Sequence, residues 1–248
     1  MADNRKERER DELHRTIRGI ANDLRGSVDG WDFKQYALGM LFYRYISENF
    51  ANYINDGERE AGDATFDYAQ LSDSDAEQAR DDLIKTKGFF ILPSQLFCSV
   101  RSRAPLDENL NETLEAVFQA VEDSAKGSDS EANFSGLFDD IDVNSNKLGG
   151  AVAERNKRLV KLMNGVGDMK LGGDNTIDAF GDAYEYLMGM YASNAGKSGG
   201  EYFTPQEVSE LLTRIAVAGT TEVNKVYEII IQTLIQGVGK IKMCTVAV

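Results

Sequence analysis

Asp32-Phe33-Lys34-Gln35-Tyr36-Ala37-Leu38-Gly39-Met40-Leu41-Phe42-Tyr43-Arg44-Tyr45-Ile46-Ser47-Glu48-Asn49-Phe50-Ala51-Asn52-Tyr53-Ile54 is the most apolar long stretch of this 248-residue chain. Phe33, Tyr36, Ala37, Leu38, Met40, Leu41, Phe42, Tyr45, Ile46 and Phe50 cover most of a helical circumference, as in a helix surrounded by others. Trp31, just ahead of it, is placed to staple the helix start after a turn over residues 26–30. The stretch predicts a central helix and a mainly α fold.

Before it, residues 3–25 read as a charged helix with a thin apolar stripe of Leu13, Ile17, Ile20 and Leu24. Arg5, Arg8, Arg10, Arg15 and Arg18 interleave with Glu7, Glu9, Asp11 and Glu12, the pattern of a solvated, ion-paired face. His14, the one histidine, reads as a surface residue of this helix. After the central stretch, residues 55–74 look like an acidic loop with one short element. Residues 74–85 form a short helix capped by Ser72 or Ser74. Phe89-Phe90-Ile91-Leu92, ended by Pro93, is a short extended piece before a turn or helix start.

Further on, residues 107–125 are helical, with Leu110, Leu114, Val117, Phe118 and Val121 on one face. Residues 126–133 read as a Gly/Ser/Asp linker, and 134–148 as irregular chain tied down by apolar anchors. Residues 152–163 form a helix whose exposed side carries Arg155, Lys157, Arg158 and Lys161, either a solvated face or a contact for the DNA backbone. Residues 176–192 are helical again, capped by Asp174 or Thr176, with Phe180, Ala183, Tyr184, Leu187 and Met188 as the buried stripe.

The totals narrow the function classes. The length suits one large domain or two small ones. No apolar run is long enough to span a membrane, and the charged N-terminus has no signal-like apolar core, so a cytoplasmic protein is expected. Cys98 and Cys244 supply neither a disulfide framework nor a metal site. The formal charge of −14 belongs to one segment: residues 55–142 hold 21 acidic and 7 basic side chains, while the remainder holds 20 of each. That middle surface disfavours non-specific nucleic-acid binding, whereas the balanced remainder leaves a DNA-facing side open. Asp139, Asp140 and Asp142 lack both the spacing and the closing glutamate of a calcium loop.

The other readable stretch is Gly199-Gly200-Glu201-Tyr202-Phe203-Thr204-Pro205-Gln206-Glu207, running into Val208, Leu211, Leu212 and Ile215 at helical spacing, with Gly219 as a stop. Thr204 is an N-cap, Pro205 suits the first helical position and Glu207 completes a capping box. Free N–H groups and a positive dipole end at such a start suit a ligand carboxylate. Gly196-Lys197-Ser198 fails as a phosphate loop, because the required earlier glycine is Tyr191 and the context is a helix. From residue physics alone, Tyr202 and Phe203 anchor a domain junction.

Glu201-Tyr202-Phe203-Thr204-Pro205-Gln206 resembles the element that precedes the cofactor domain in N6-adenine DNA methyltransferases. Residues 32–42 resemble the core helix of the type I restriction–modification methyltransferase subunit. Gly88-Phe89-Phe90-Ile91-Leu92-Pro93 and Asp182-Ala183-Tyr184-Glu185-Tyr186-Leu187 resemble two further landmarks of that subunit's N-terminal helical domain, and the likeness spans residues 11–227. The resemblance implies an adenine-specific DNA methyltransferase using S-adenosyl-L-methionine. It implies DNA, a specificity subunit, a second modification subunit and a restriction subunit as partners. It also implies cofactor binding by Glu201, Tyr202, Phe203, Thr204, Pro205 and Gln206, with Phe203 attracted to the sulfonium.

After Val226-Tyr227 the family continues into Asp-Pro-x-Cys-Gly-Ser-Gly, but here Glu228-Ile229-Ile230-Ile231-Gln232 follows, and Gly237-Val238-Gly239 is too short and too late. The family's Asn-Pro-Pro-aromatic step, which holds the flipped adenine, is missing, since the last proline is Pro205. The expectation is a mainly α chain: an N-terminal multi-helix domain followed by only the first piece of an α/β, Rossmann-like methyltransferase domain. Its divisions are 1–192 (helical domain), 193–219 (linker and first helix of the cofactor domain) and 220–248 (truncated first strand and atypical tail). Such a chain is expected to dock subunits or DNA and, by itself, neither to methylate DNA nor to hold the cofactor. The alternative is a non-catalytic helical protein-interaction module.

Overall fold

The structure is a computed structural model that describes residues 3–24, 30–171 and 179–192. The expectations for Trp31, the turn before it, the caps at Asp174 and Thr176, and everything from residue 193 onward lie outside the described side chains and residues. The regular elements of the described residues are helical, as their apolar periodicity requires, and include α1 (Asp3–Leu24), α2 (Gly30–Glu60), α3 (Asp73–Ala76), α4 (Arg80–Lys87), α5 (Phe97–Arg103), α6 (Leu110–Ser124), α7 (Glu131–Phe134), α8 (Val152–Gly167) and α9 (Ala179–Ala192). Helices α1 and α2 pack against each other and each against α8 and α9, with α5 laid on α2 and α8 and α6 on α8.

Helix α2 is the axis, and it runs six residues past Ile54 to Glu60. The polar residues after Ile54 do not stop it. Gly62 does, at φ 108°. There the Asp63 N–H bonds Glu58 O at 2.9 Å and the Gly62 N–H bonds Arg59 O at 3.1 Å, a glycine-terminated helix end. Asn55, expected in a loop, is buried on the helix and accepts the Tyr68 N–H at 2.8 Å.

Tyr36, Met40, Tyr43, Ser47 and Phe50 repeat at intervals of four and three and are all buried. Tyr43, not Tyr45, is the central aromatic. Its ring meets Phe97 and Phe118 edge-on at 5.5 and 5.4 Å, whereas Tyr45 is 41% exposed and stacks on Phe180 at 4.1 Å. A similar exchange occurs on α9, where Tyr184 is exposed and Tyr186 packs inward instead.

Segments expected to be simple turn out to be broken or fastened. The helix expected over 74–85 is three pieces, α3, a 3-10 turn (Glu77–Ala79) and α4, with Ser72 as N-cap accepting the Asp75 N–H. The extended residues 89–92 have no strand partner among the described residues, so side chains satisfy their backbone: the Phe90 N–H bonds Ser124 Oγ at 2.9 Å, and Tyr68 Oη donates to Ile91 O at 2.8 Å. The expected linker 126–133 is strapped down, with Ser128 Oγ donating to Gly88 O at 2.9 Å, and it contains the start of α7.

Gly39 sits on α2 where a Cβ would lie 1.8 Å from Cδ1 and 2.4 Å from Cγ1 of Ile141. Gly39→Ala should therefore lower stability by about 1–3 kcal/mol through overpacking, although alanine is intrinsically the better helix former by about 1 kcal/mol. In Ile141→Ala the same change should become neutral or stabilising. Urea denaturation of the two single variants and the double variant checks this, and additive effects would contradict the contact.

Candidate functional site

Helix α8 carries the basic side chains that the sequence singles out, and its start explains how they are spent. The turn before it is tight: Gly149 has φ 143°, and a Cβ there would meet Glu154 Cβ at 2.7 Å and Arg158 Nη1 at 2.8 Å. Arg155 Nη1 donates to Gly149 O at 3.1 Å, and Arg158 Nη1 donates to Leu148 O. Both arginines are half-buried and brace the loop that α8 emerges from. Lys157 and Lys161, one turn apart, are exposed. The four residues therefore divide into two braces and two outward cations.

On its inner side, α8 is locked to α6 through an amide network. Asn156 Oδ1 accepts the Asn111 N–H at 3.1 Å, and Asn156 Nδ2 donates to Glu108 O at 2.6 Å. Asn111 Nδ2 continues to Asn144 Oδ1 at 2.6 Å, and Asn144 Nδ2 to Glu115 at 2.9 Å. Paired amides of this kind fix the rotation of a helix as well as its position.

The C-terminal end of α8 is capped from α2. Arg44 Nη1 donates to Val166 O at 2.6 Å and Met169 O at 2.7 Å, while its Nε holds Glu48 at 2.6 Å. A cation on the carbonyls at a helix C-terminus is favoured by both hydrogen bonding and the helix dipole. Arg101 adds Asn164 at 3.1 Å and Asp168 at 2.5 Å. Sequence reasoning missed Arg44, although a lone arginine within an apolar helix is itself the signal of a buried partner.

Beside these arginines lies an open groove of about 360 Å³ with Cys98 at its edge. Both guanidiniums are already engaged, and the single histidine lies elsewhere, so no thiol–imidazole pair forms. Among the described residues no three His, Cys, Asp or Glu side chains gather to hold a metal ion. No helix among them is long and apolar enough to cross a membrane.

His14 corrects the expectation of a surface residue. It is half-buried and stacks on Tyr186 of α9 with centroids 3.8 Å apart. Burial is the largest influence on its imidazole and holds the pKa below the ordinary histidine value. Glu201, Tyr202, Phe203, Thr204, Pro205 and Gln206 lie outside the described residues, so the geometry of the expected cofactor contact is not part of this site.

If Arg158 is a brace and Lys157 and Lys161 are not, Arg158→Ala should cost about 1–2 kcal/mol by orphaning a buried carbonyl. Lys157→Ala and Lys161→Ala should leave the urea midpoint unchanged. Equal effects for all three would refute the division.

Comparison with known proteins gives these features a family. A family model, the HsdM N-terminal domain, matches residues 13–166, and a second, N-6 DNA Methylase, matches residues 175–233. The type I restriction enzyme MpnII methylase subunit of Mycoplasma pneumoniae is 45% identical over 229 residues, covering 89% of this chain and 42% of the relative. The MjaIX methylase subunit of Methanocaldococcus jannaschii is 20% identical over 202 residues, covering 79% of this chain and 34% of the relative. The crystal structure of a type I restriction-modification methyltransferase subunit from Streptococcus thermophilus superposes with TM-score 0.68 at 27% identity, covering 85% of this chain and 44% of the other. The chain thus spans about two fifths of the length of the relatives it matches. It belongs to the HsdM N-terminal domain family and is a homologue of the methylase subunits of type I restriction enzymes.

Proposed function

We propose that these residues supply the amino-terminal part of a modification subunit that transfers a methyl group to adenine N6 in specific DNA. The observation that carries this reading is the 45% identity to a type I methylase subunit over nearly the whole chain. The match of residues 175–233 to an N-6 DNA methylase family points to the amino group of adenine as the target. S-adenosyl-L-methionine, when bound, would supply an electrophilic methyl on a sulfonium.

Glu201, Tyr202, Phe203, Thr204, Pro205 and Gln206 are the residues assigned to it, with the capped start at Thr204-Pro205 receiving a carboxylate. The glycine-rich loop that would hold the remainder of the cofactor does not follow Tyr227, and no Asn-Pro-Pro-aromatic step is present. These residues therefore do not make a complete site, and no methyl transfer runs through this chain alone. Within the subunit the helical domain, assigned to 1–192, serves as the docking body, ahead of a linker and first helix at 193–219 and a tail at 220–248. Its partners are a specificity subunit, a second modification subunit and a restriction subunit, working in the cytoplasm. Lys157 and Lys161 face the DNA backbone, where their charge is not spent on bracing.

The test is methyl transfer from labelled S-adenosyl-L-methionine to cognate DNA in the presence of the specificity subunit. A subunit extended to the relatives' length should label adenine N6, and this 248-residue chain should not. Label on another base, or activity of this chain, would overturn the reading. Replacing Lys157 and Lys161 together by alanine in the extended subunit should make the salt dependence of DNA binding shallower by about two phosphate contacts. An unchanged slope removes them from the DNA face.

A further inference from the structure

We propose that the contact between α1 and α9 is a pH-operated latch whose sensor is His14. Side-chain contacts among the described residues that hold the two helices together include the following. His14 stacks on Tyr186 with centroids 3.8 Å apart and planes 13° from parallel. Arg10 Nε donates to Asp182 at 3.1 Å, and the Arg18 guanidinium lies 5.8 Å from the Tyr186 ring centroid. All three use one face of α1, since Arg10 and Arg18 lie four residues before and after His14.

His14 is the only histidine in the chain, and histidine is the side chain whose ordinary titration falls between pH 5 and 8. A proton on it would place a third cation between Arg10 and Arg18. Asp182, the α9 carboxylate that acts on His14, already accepts from Arg10. The half-buried ring would also have to carry its charge with part of its water removed, a cost that attraction to the Tyr186 face offsets only in part. Among the described residues the charged groups acting on His14 are Asp182 from α9 and Arg18, Asp11 and Arg10 from α1. The carboxylates favour the proton, the arginines oppose it, and burial, the largest influence, opposes it as well.

The direction follows from linkage. Release of α9 removes the cover of Tyr186, which opposes the proton, and Asp182, which favours it; because burial outweighs the carboxylate, His14 binds a proton more readily when α9 is released. The contact is fully favourable above the ordinary histidine value of about 6.5, and it weakens as pH falls below that value. Helix α9 is continuous in sequence with residue 193 onward, so the latch sits where the described helices lead into the rest of the chain.

Hydrogen exchange of the 248-residue chain at pH 7.5 and 5.5, corrected for intrinsic exchange, tests the latch. Ordinary carboxylates stay ionised across that window. Amides of α9 in the wild type should lose protection at pH 5.5 while those of α6 keep theirs. In His14→Phe, which retains a stacking ring without a titrating nitrogen, α9 should be equally protected at both values. The same loss in both proteins would overturn the proposal. Should His14→Phe fail to fold, the His14 ring protons of the wild type can be titrated by NMR. A midpoint below about 6.5 supports the latch, and one at or above it refutes it.

Discussion

A backbone carbonyl or amide buried without a hydrogen bond costs about 1–3 kcal/mol, and this fold buries irregular chain in several places. The polar side chains of α2 meet that requirement. Tyr36 Oη donates to Asp142 O at 2.8 Å and Tyr43 Oη to Gln95 O at 2.5 Å, while Ser47 Oγ accepts the Phe97 N–H at 3.2 Å and Asn55 Oδ1 the Tyr68 N–H. Between Tyr43 and Ser47, Arg44 turns to another side and takes the terminal carbonyls of α8. One helix thus supplies both the apolar axis and the hydrogen bonds that let loops lie in the core. Burial pushes the Tyr43 hydroxyl well above its ordinary pKa, so it remains a donor at any physiological pH.

This division explains which parts of the fold could be read from the sequence. Leu110, Leu114, Val117, Phe118 and Val121 declare α6 by period alone, and the structure buries all five. Leu13, Ile17 and Ile20 do the same for α1. Period could not tell Tyr43 from Tyr45, because both are aromatic and α2 is apolar nearly all round. What separates them is the partner: a loop carbonyl within reach of one hydroxyl, and Phe180 stacked on the other. Asn55 was illegible for a related reason, and Arg44 signalled a buried partner without naming it. A polar residue looks like a loop or a surface until the distant backbone group it satisfies is in place.

The candidate site divides along the same line. Charge and spacing pick out Arg155, Lys157, Arg158 and Lys161 as one patch, but carbonyls at Leu148 and Gly149, invisible to spacing, claim the two arginines. His14 likewise becomes distinctive only when α9 brings Tyr186 against it. The family itself, by contrast, was legible as a resemblance in motifs. They lie on the central helix, on the Phe-Phe-Ile-Leu-Pro segment, on α9 and at residues 201–206.

The central claim is that α2 stabilises the fold by hydrogen-bonding buried loop backbone as well as by burying apolar surface. Tyr43→Phe removes one hydroxyl and keeps the ring, and Tyr45→Phe makes the identical change one residue pair away on the exposed side. Urea denaturation should show Tyr43→Phe less stable by about 1–3 kcal/mol and Tyr45→Phe within about 0.5 kcal/mol of the wild type. Equal stabilities for the two variants would contradict it.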